Sequence, residues 1–168
     1  RIGIVGFSQD ISPLAMTNNP SIAINHINSL PSGDATKLYE AIDVGLDLLE
    51  NSTADGKAIV TFTDGRNNAW SDANKYQTPN VVLQRLKASD IRSYTIGFDG
   101  KDGVDRNELQ ELAVEGLFAF PRSISDVEKV FQRFANSVAA TRIFTYERNS
   151  SELPEPIQLR FRIFATLL

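Results

Sequence analysis

The stretch "AIVTFTDGRNNAW", residues 58–70, joins an apolar segment to a polar turn. Residues 57–63, "KAIVTFT", combine β-branched and aromatic side chains, which predicts a buried β-strand. Asp64 and Gly65 follow this strand directly, and Asp-Gly pairs are typical of turns. Whether Asp64 does more than form a turn depends on what the rest of the chain brings to the end of this strand.

Strand patterns alternate with helix patterns on both sides of this stretch. Such an alternation predicts a mainly parallel sheet with helices on both faces. We therefore predict a three-layer α/β sandwich with a doubly wound, Rossmann-like, mostly parallel sheet. Its parallel strands are expected at "IGIVGF" (2–7), "AIVTF" (58–62), "SYTIGF" (93–98) and "LFAF" (117–120), with an antiparallel edge strand near "SPLAMT" (12–17).

The clearest helix is predicted within residues 32–51, "SGDATKLYEAIDVGLDLLEN". Its apolar residues recur at three- and four-residue steps and form one stripe. They are Leu38, Ala41, Ile42, Gly45, Leu46 and Leu49. Further helices are predicted at 20–30, 80–90, 106–115 and 123–141, and Ser123 or Ser125 is expected to cap the last one.

In the last part of the chain, the spacing of the apolar residues changes. "RIFTYER" (142–148) and "IQLRFRIF" (157–164) alternate apolar and polar residues, as strands with one exposed face do. We predict an α/β domain over residues 1–140, followed at 141–168 by a β-hairpin appendage or the start of a following element.

The composition excludes several classes of function. The formal net charge of -4 argues against a nucleic-acid binder, and no apolar run is long enough for this segment to insert into a membrane. The chain has no cysteine, and its one histidine, His26, is expected at the surface of a helix away from the predicted site. Neither a catalytic triad nor a P-loop can be assembled, so we expect no enzyme activity.

Three loops are expected to meet at one edge of the sheet, because ligands of open α/β sheets bind outside the carboxyl ends of the strands. These loops are "SQD" (8–10), "SGDAT" (32–36) and the turn from Thr63. The Thr36 hydroxyl and the Asp64 carboxylate would then converge, and such oxygen ligands suit Mg²⁺. The alternatives are that Thr36 is only a helix N-cap and Asp64 only a turn residue.

Taken together, "GDATKLYEA", "VTFTDGRNN" and "YTIGF" at this spacing resemble the von Willebrand factor A domain family, over about residues 2–140. The resemblance implies a metal-ion-dependent adhesion site (MIDAS), in which Thr36 matches the threonine before a helix and Asp64 the aspartate of a Thr-Asp-Gly turn. It also implies that the chain binds a protein partner, whose acidic side chain completes the metal shell.

The chain departs from the family pattern at its start. The first strand and its Asp-x-Ser-x-Ser loop are missing, and "SQDIS" (8–12) follows the wrong strand. In the family the missing strand lies in the middle of the sheet, so we predict that "IGIVGF" and "AIVTF" do not pair directly. Upstream residues, another copy or "IQLRFRIF" could fill the gap. We expect Mg²⁺, with Mn²⁺ or Ca²⁺ as alternatives, to bind weakly or not at all in this chain.

We expect a protein-binding module that engages its partner through a Mg²⁺-assisted face. The residues expected to contact the partner are Arg66, Asn67, Asn68 and Trp70, although Trp70 could instead pack against the body. Two alternatives stay open. The first is a receiver-like domain that is phosphorylated on Asp64, although Lys101 is poorly placed to be the lysine that a receiver requires. The second is a scaffold with a vestigial metal site. The resemblance favours a location in the cell envelope or the extracellular space, and a cytoplasmic location is the alternative.

Overall fold

The computed structural model describes residues 1–54, 56–69, 79–100 and 103–139. The predictions made for Trp70, for Lys101 and for the hairpin at 141–168 lie outside these residues. The described elements are, in chain order, β1 (Ile2–Phe7), β2 (Ile11–Thr17), α1 (Pro20–Asn28), α2 (Leu38–Glu50), β3 (Lys57–Thr63), α3 (Pro79–Ala88), β4 (Ile91–Gly97), α4 (Arg106–Leu112), β5 (Glu115–Ala119) and α5 (Ile124–Ala139).

The described strands form two sheets. Strands β3, β4 and β5 pair in parallel and in this order, with β3 and β4 in register from Lys57↔Ile91 to Thr63↔Gly97. Strand β1 pairs antiparallel with β2, an edge strand whose Pro13 lies opposite Val5. The predicted α/β class is confirmed. The four strands predicted for one sheet are divided between two sheets in the described residues, because β1 has no ladder with β3.

The break between β1 and β3 was predicted and is confirmed within the described part of the chain. Helix α2 packs on both strands. Leu48 of α2 lies 3.6 Å from the position that a Cβ on Gly3 of β1 would occupy. Ile59 of β3 lies at the same distance, 3.6 Å, from the Cβ position of Gly45 in α2. Gly45 and Leu48 are three residues apart on one helical face. One face of α2 therefore packs against both β1 and β3, which have no ladder between them.

Helices cover both faces of the three-stranded sheet. Ile59 packs against a buried cluster formed with α2, α3 and α4, whereas its neighbour Ala58 packs against a second cluster that includes Phe134 of α5. Because adjacent strand residues point to opposite faces, α2 to α4 lie on one side of the sheet and α5 on the other. The first cluster consists of Leu38, Tyr39, Ile42, Leu46, Leu49, Val82, Leu86, Ile91, Leu109 and Leu112.

Three local predictions can be compared with the structure. Ser123 caps α5, since its Oγ accepts a hydrogen bond of 3.2 Å from the Asp126 N–H. Helix α4 ends at Leu112, earlier than expected, and Glu115 adopts a left-handed backbone (φ 52°) that redirects the chain into β5. His26 is half-buried instead of lying at the surface, with Nε2 3.1 Å from the Ser12 carbonyl oxygen, and it ties α1 to β2.

A cluster of ion pairs joins α2 to α3. Arg85 of α3 contacts three carboxylates of α2, at 2.6 Å for Asp43, 2.5 Å for Asp47 and 2.7 Å for Glu50. These hydrogen bonds, above all the one to Glu50, raise the pKa of the Arg85 guanidinium above its ordinary value. Asp43 and Arg85 are mostly buried, so this cluster is a stronger link than a pair at the open surface.

Candidate functional site

The turn after β3 is closed by the Thr63 side chain, and the Asp64 carboxylate makes no contact with it that the described residues show. The Thr63 hydroxyl closes the turn, since it accepts a hydrogen bond from the Gly65 N–H at 3.3 Å and donates one to the Gly65 carbonyl at 3.0 Å. The Phe98 N–H, after β4, donates to the Thr63 carbonyl at 2.9 Å and anchors the strand end. Asp64 is exposed, and its carboxylate has no hydrogen bond or ion pair within the described residues. This geometry is compatible both with a metal ligand and with a turn residue, so the role of Asp64 stays a prediction.

The Thr36 hydroxyl faces this turn. Helix α2 begins at Leu38 and its N-cap position is Lys37, which makes no side-chain capping hydrogen bond. The alternative that Thr36 is the N-cap is therefore wrong. Its Oγ1 instead lies 2.8 Å from where a Cβ on Gly65 would stand. Only a glycine at position 65 lets the Thr36 hydroxyl come this close to the residue that follows Asp64.

Two asparagines after the turn bind the segment that enters α2. The Thr36 N–H donates to Asn68 Oδ1 at 2.7 Å, and the Asn68 N–H donates to the Thr36 carbonyl at 3.0 Å. The Tyr39 N–H donates to Asn67 Oδ1 at a longer distance, 3.4 Å. Both amide oxygens thus bind this chain's own backbone. Arg66 and Asn68 are exposed, and a contact of Arg66, Asn67 or Asn68 with a partner remains a prediction.

Two more loops reach the same edge. The Ser8 hydroxyl lies 2.9 Å from the Cβ position of Gly33, with Gln9 Oε1 at 3.4 Å, so the loop after β1 meets the loop before α2. The predicted meeting of three loops is confirmed. Sequence reasoning missed Gly100, whose Cβ position lies 3.0 Å from Asp64 Cβ. The sequence feature that could have identified Gly100 is its position just after β4, the strand that pairs with β3 in the parallel sheet.

Tyr39 connects this region to the core. Burial is the main cause that raises the pKa of its hydroxyl, and a side-chain hydrogen bond with Glu108 adds to the shift. The hydroxyl is therefore neutral at ordinary pH and acts as a hydrogen-bonding group. Through its backbone and side chain, Tyr39 ties the first turn of α2 both to the loop after β3 and to α4.

The donor atoms suit a hydrated hard cation. A threonine hydroxyl and a carboxylate with no partner among the described residues are oxygen ligands, and Mg²⁺ often keeps several waters beside one or two protein carboxylates. No group of three or more His, Cys, Asp or Glu residues in the described ranges could hold a metal ion by itself. The oxygen donors of Thr36 and Asp64 fit a hydrated cation.

Comparison with known families gives a match over most of the chain. The family profile described as von Willebrand factor type A domain matches residues 1–135. A comparison with curated proteins gives no match. None of the helices among the described residues has the length and hydropathy needed to cross a membrane.

Solved structures share the fold at low sequence identity. Proximal thread matrix protein 1 from the mussel byssus, in a form with a zinc occupied MIDAS motif, is 17% identical with a TM-score of 0.62. A von Willebrand factor type A structure from Catenulispora acidiphila is 14% identical with a TM-score of 0.64. An aerotolerance-related membrane protein from Bacteroides fragilis is 19% identical with a TM-score of 0.58.

The three matches differ in how much of each protein they cover. The alignments cover 80%, 78% and 80% of this chain, respectively. The chain spans 34% of the mussel protein, 32% of the Catenulispora protein and 78% of the Bacteroides protein. It therefore spans only about a third of the first two proteins, and likeness at this identity shows the fold alone.

Proposed function

Because this chain belongs to the von Willebrand factor type A domain family, we propose that it binds a protein partner through a divalent cation held at Thr36 and Asp64. The observation that carries the proposal is the position of these two residues. The Thr36 hydroxyl faces Gly65, and the adjacent Asp64 carboxylate is exposed without a partner in the described part of the chain.

The two residues would hold the cation from two directions. Asp64, fixed at the end of β3 by the Thr63 hydroxyl, supplies the negative charge, and Thr36 supplies a neutral oxygen from the segment before α2. The bound cation supplies an electrophilic position at which an acidic side chain of the partner completes the shell. The oxygen donors favour Mg²⁺, with Mn²⁺ or Ca²⁺ as alternatives. The zinc in the mussel protein supports a divalent ion without deciding which one.

Arg66 and Asn68 are the described residues best placed to extend the contact with the partner. Both are exposed beside the site, whereas Asn67 is half-buried. Arg66 would pair with an acidic partner surface, in agreement with the acidic side chain that the cation would receive. Trp70 belongs to this proposed rim by its place in the sequence.

The domain boundary and the location of the protein are further parts of the proposal. Residues 1–140 would form the binding domain, with 141–168 as a β-hairpin or the start of a following element. The likeness to a Bacteroides membrane protein, most of whose length is covered, supports the cell envelope or the extracellular space over the cytoplasm.

Calorimetric titration with Mg²⁺ and Mn²⁺ tests the cation site. We expect weak binding by the unsubstituted chain, none by Asp64→Ala, and reduced affinity for Thr36→Val. Asp90→Ala is the matched control, because Asp90 is also exposed but precedes β4, at the opposite edge of the sheet. Equal affinity in all four proteins would refute the site.

The relaxation of water protons by bound Mn²⁺ tests the predicted role of the partner. A small carboxylate such as acetate, used as the probe, should displace metal-bound water and lower this relaxation. Unchanged relaxation at saturating acetate would contradict a site that takes an acidic side chain from a partner.

A further inference from the structure

We infer that Asn68 is a positioning residue that holds Thr36 within reach of Asp64, an inference that rests on the proposed function. The contact consists of two hydrogen bonds between the same two residues in opposite directions. The Thr36 N–H donates to Asn68 Oδ1 at 2.7 Å, and the Asn68 N–H donates to the Thr36 carbonyl at 3.0 Å. Two such bonds fix the orientation of one segment against the other as well as their separation.

Thr36 depends on this contact for its position. It lies in the irregular segment between α1 and α2, outside the hydrogen-bonding ladder of either helix. Within the described residues, Asn68 is the only hydrogen-bond partner of Thr36. In the part of the chain that the structure describes, the approach of the Thr36 hydroxyl to Gly65 therefore has no other polar support.

Asn67 provides a second, weaker attachment. The first N–H groups of a helix have no partner within the helix, and an N-cap side chain usually satisfies one of them. Helix α2 lacks such a cap at Lys37, and Asn67 Oδ1 accepts from the Tyr39 N–H instead, at 3.4 Å. Asn67 thus replaces a local cap with an acceptor from the loop that also carries Asp64, while Asn68 binds the segment just before the helix.

This arrangement has a consequence for the cation. Asn68 Oδ1 is engaged by the Thr36 amide, so Asn68 acts on the site through Thr36 and not as a ligand. Residues that orient the ligands of a metal commonly change its affinity by about 10- to 100-fold when they are replaced. Loss of the Asn68 side chain should let Thr36 move away from Asp64 while the core stays packed.

The test uses Asn68→Ala in the full chain with two readouts. Amide hydrogen exchange, followed by NMR, should show that the Thr36 N–H loses protection. Electron paramagnetic resonance of free Mn²⁺ should show roughly tenfold or more weaker binding. Asn68→Asp keeps the acceptor oxygen and should restore the protection of Thr36. Asn51→Ala is the matched control, since it removes a 2.9 Å bond to the Asp47 carbonyl at the far end of α2 and should change neither readout.

The outcomes separate this inference from the proposed function. Reduced Mn²⁺ affinity together with faster Thr36 exchange supports a positioning role. Unchanged Mn²⁺ affinity in Asn68→Ala overturns the inference but not the proposed function. Unchanged protection of the Thr36 N–H in this variant does the same. Absence of Mn²⁺ binding by the unsubstituted chain overturns the proposed function and removes the basis of the inference with it.

Discussion

The Thr36 Oγ1 stands 2.8 Å from the point that a β-carbon on Gly65 would occupy. This distance relates the segment before α2 to the turn that carries Asp64, and both belong to the edge of the sheet where parallel strands end. The proposed site depends on this closeness, so a small change at Gly65 is a sensitive probe.

Gly65→Ala should weaken Mn²⁺ binding roughly tenfold, because the added methyl group pushes the Thr36 hydroxyl away from Asp64. Stability should change little, since the crowding atoms belong to one side chain and the backbone at Gly65 is not left-handed. Gly56→Ala is the matched control, because a Cβ there meets nothing within 4 Å. Calorimetric titration of both variants checks the prediction, and equal affinities would contradict it.

Arg85→Met should lower the free energy of unfolding by about 1–3 kcal/mol, because it leaves three carboxylates of α2 without their shared cation. Lys129→Met is the control, since its pair with Asp126 is exposed and pairs at the open surface add little to stability. Urea unfolding of both variants measures the difference. A loss for Arg85→Met no larger than for Lys129→Met would show that the cluster adds nothing to the packing of α3 on α2.

Stability should fall as the pH rises above about 10, partly because of Tyr39. Its pKa is raised above the ordinary value of 10.0, chiefly by burial, so at high pH the unfolded chain releases a proton that the folded chain retains. The unfolded state then binds fewer protons, and the free energy of unfolding decreases with pH. Urea unfolding between about pH 8 and 11 should show a flatter dependence for Tyr39→Phe. Identical slopes would contradict the assigned environment of Tyr39.

The gap between β1 and β3 predicts that a donated strand should stabilise the fold. Joining a family member's first strand and Asp-x-Ser-x-Ser loop ahead of Arg1 should slow amide exchange in β3 and tighten Mg²⁺ binding, since the loop adds oxygen ligands. The same extension with Ala at the Asp and Ser positions is the control. It should slow exchange without tightening binding. Unchanged exchange with either extension would show that no strand enters the gap.

The parts of the fold that were predicted correctly depend on local pattern. The buried strand at 57–63 and the stripe of α2 follow from side-chain periodicity, which packing then reinforces. The start of β5 was missed because Glu115 and Gly116 carry no strand signal, although Glu115 pairs with Ser93. The gap beside β3 came from the family resemblance, because periodicity does not identify which strands are neighbours.

Of the proposed site, the sequence could predict only that the loops carrying Thr36 and Asp64 lie together. Parallel strands end at one edge, so the loops carrying Thr36 and Asp64 were expected to meet, and they do. The hydrogen bonds of Asn67 and Asn68 could not be predicted, because they join segments about 30 residues apart and local sequence spacing does not reveal such contacts. The same holds for Gly100, whose contact with Asp64 depends on the register of β3 and β4.

The most direct test of the central claim is an NMR titration with Mn²⁺ that locates the cation. The paramagnetic ion broadens nearby amide signals. We predict that the signals of Thr36, Asp64, Gly65 and Gly100 disappear first, and that Asp64→Ala abolishes this broadening. Broadening that begins instead at the α2 carboxylates Asp43, Asp47 and Glu50, or that persists in Asp64→Ala, would contradict a cation held between Thr36 and Asp64.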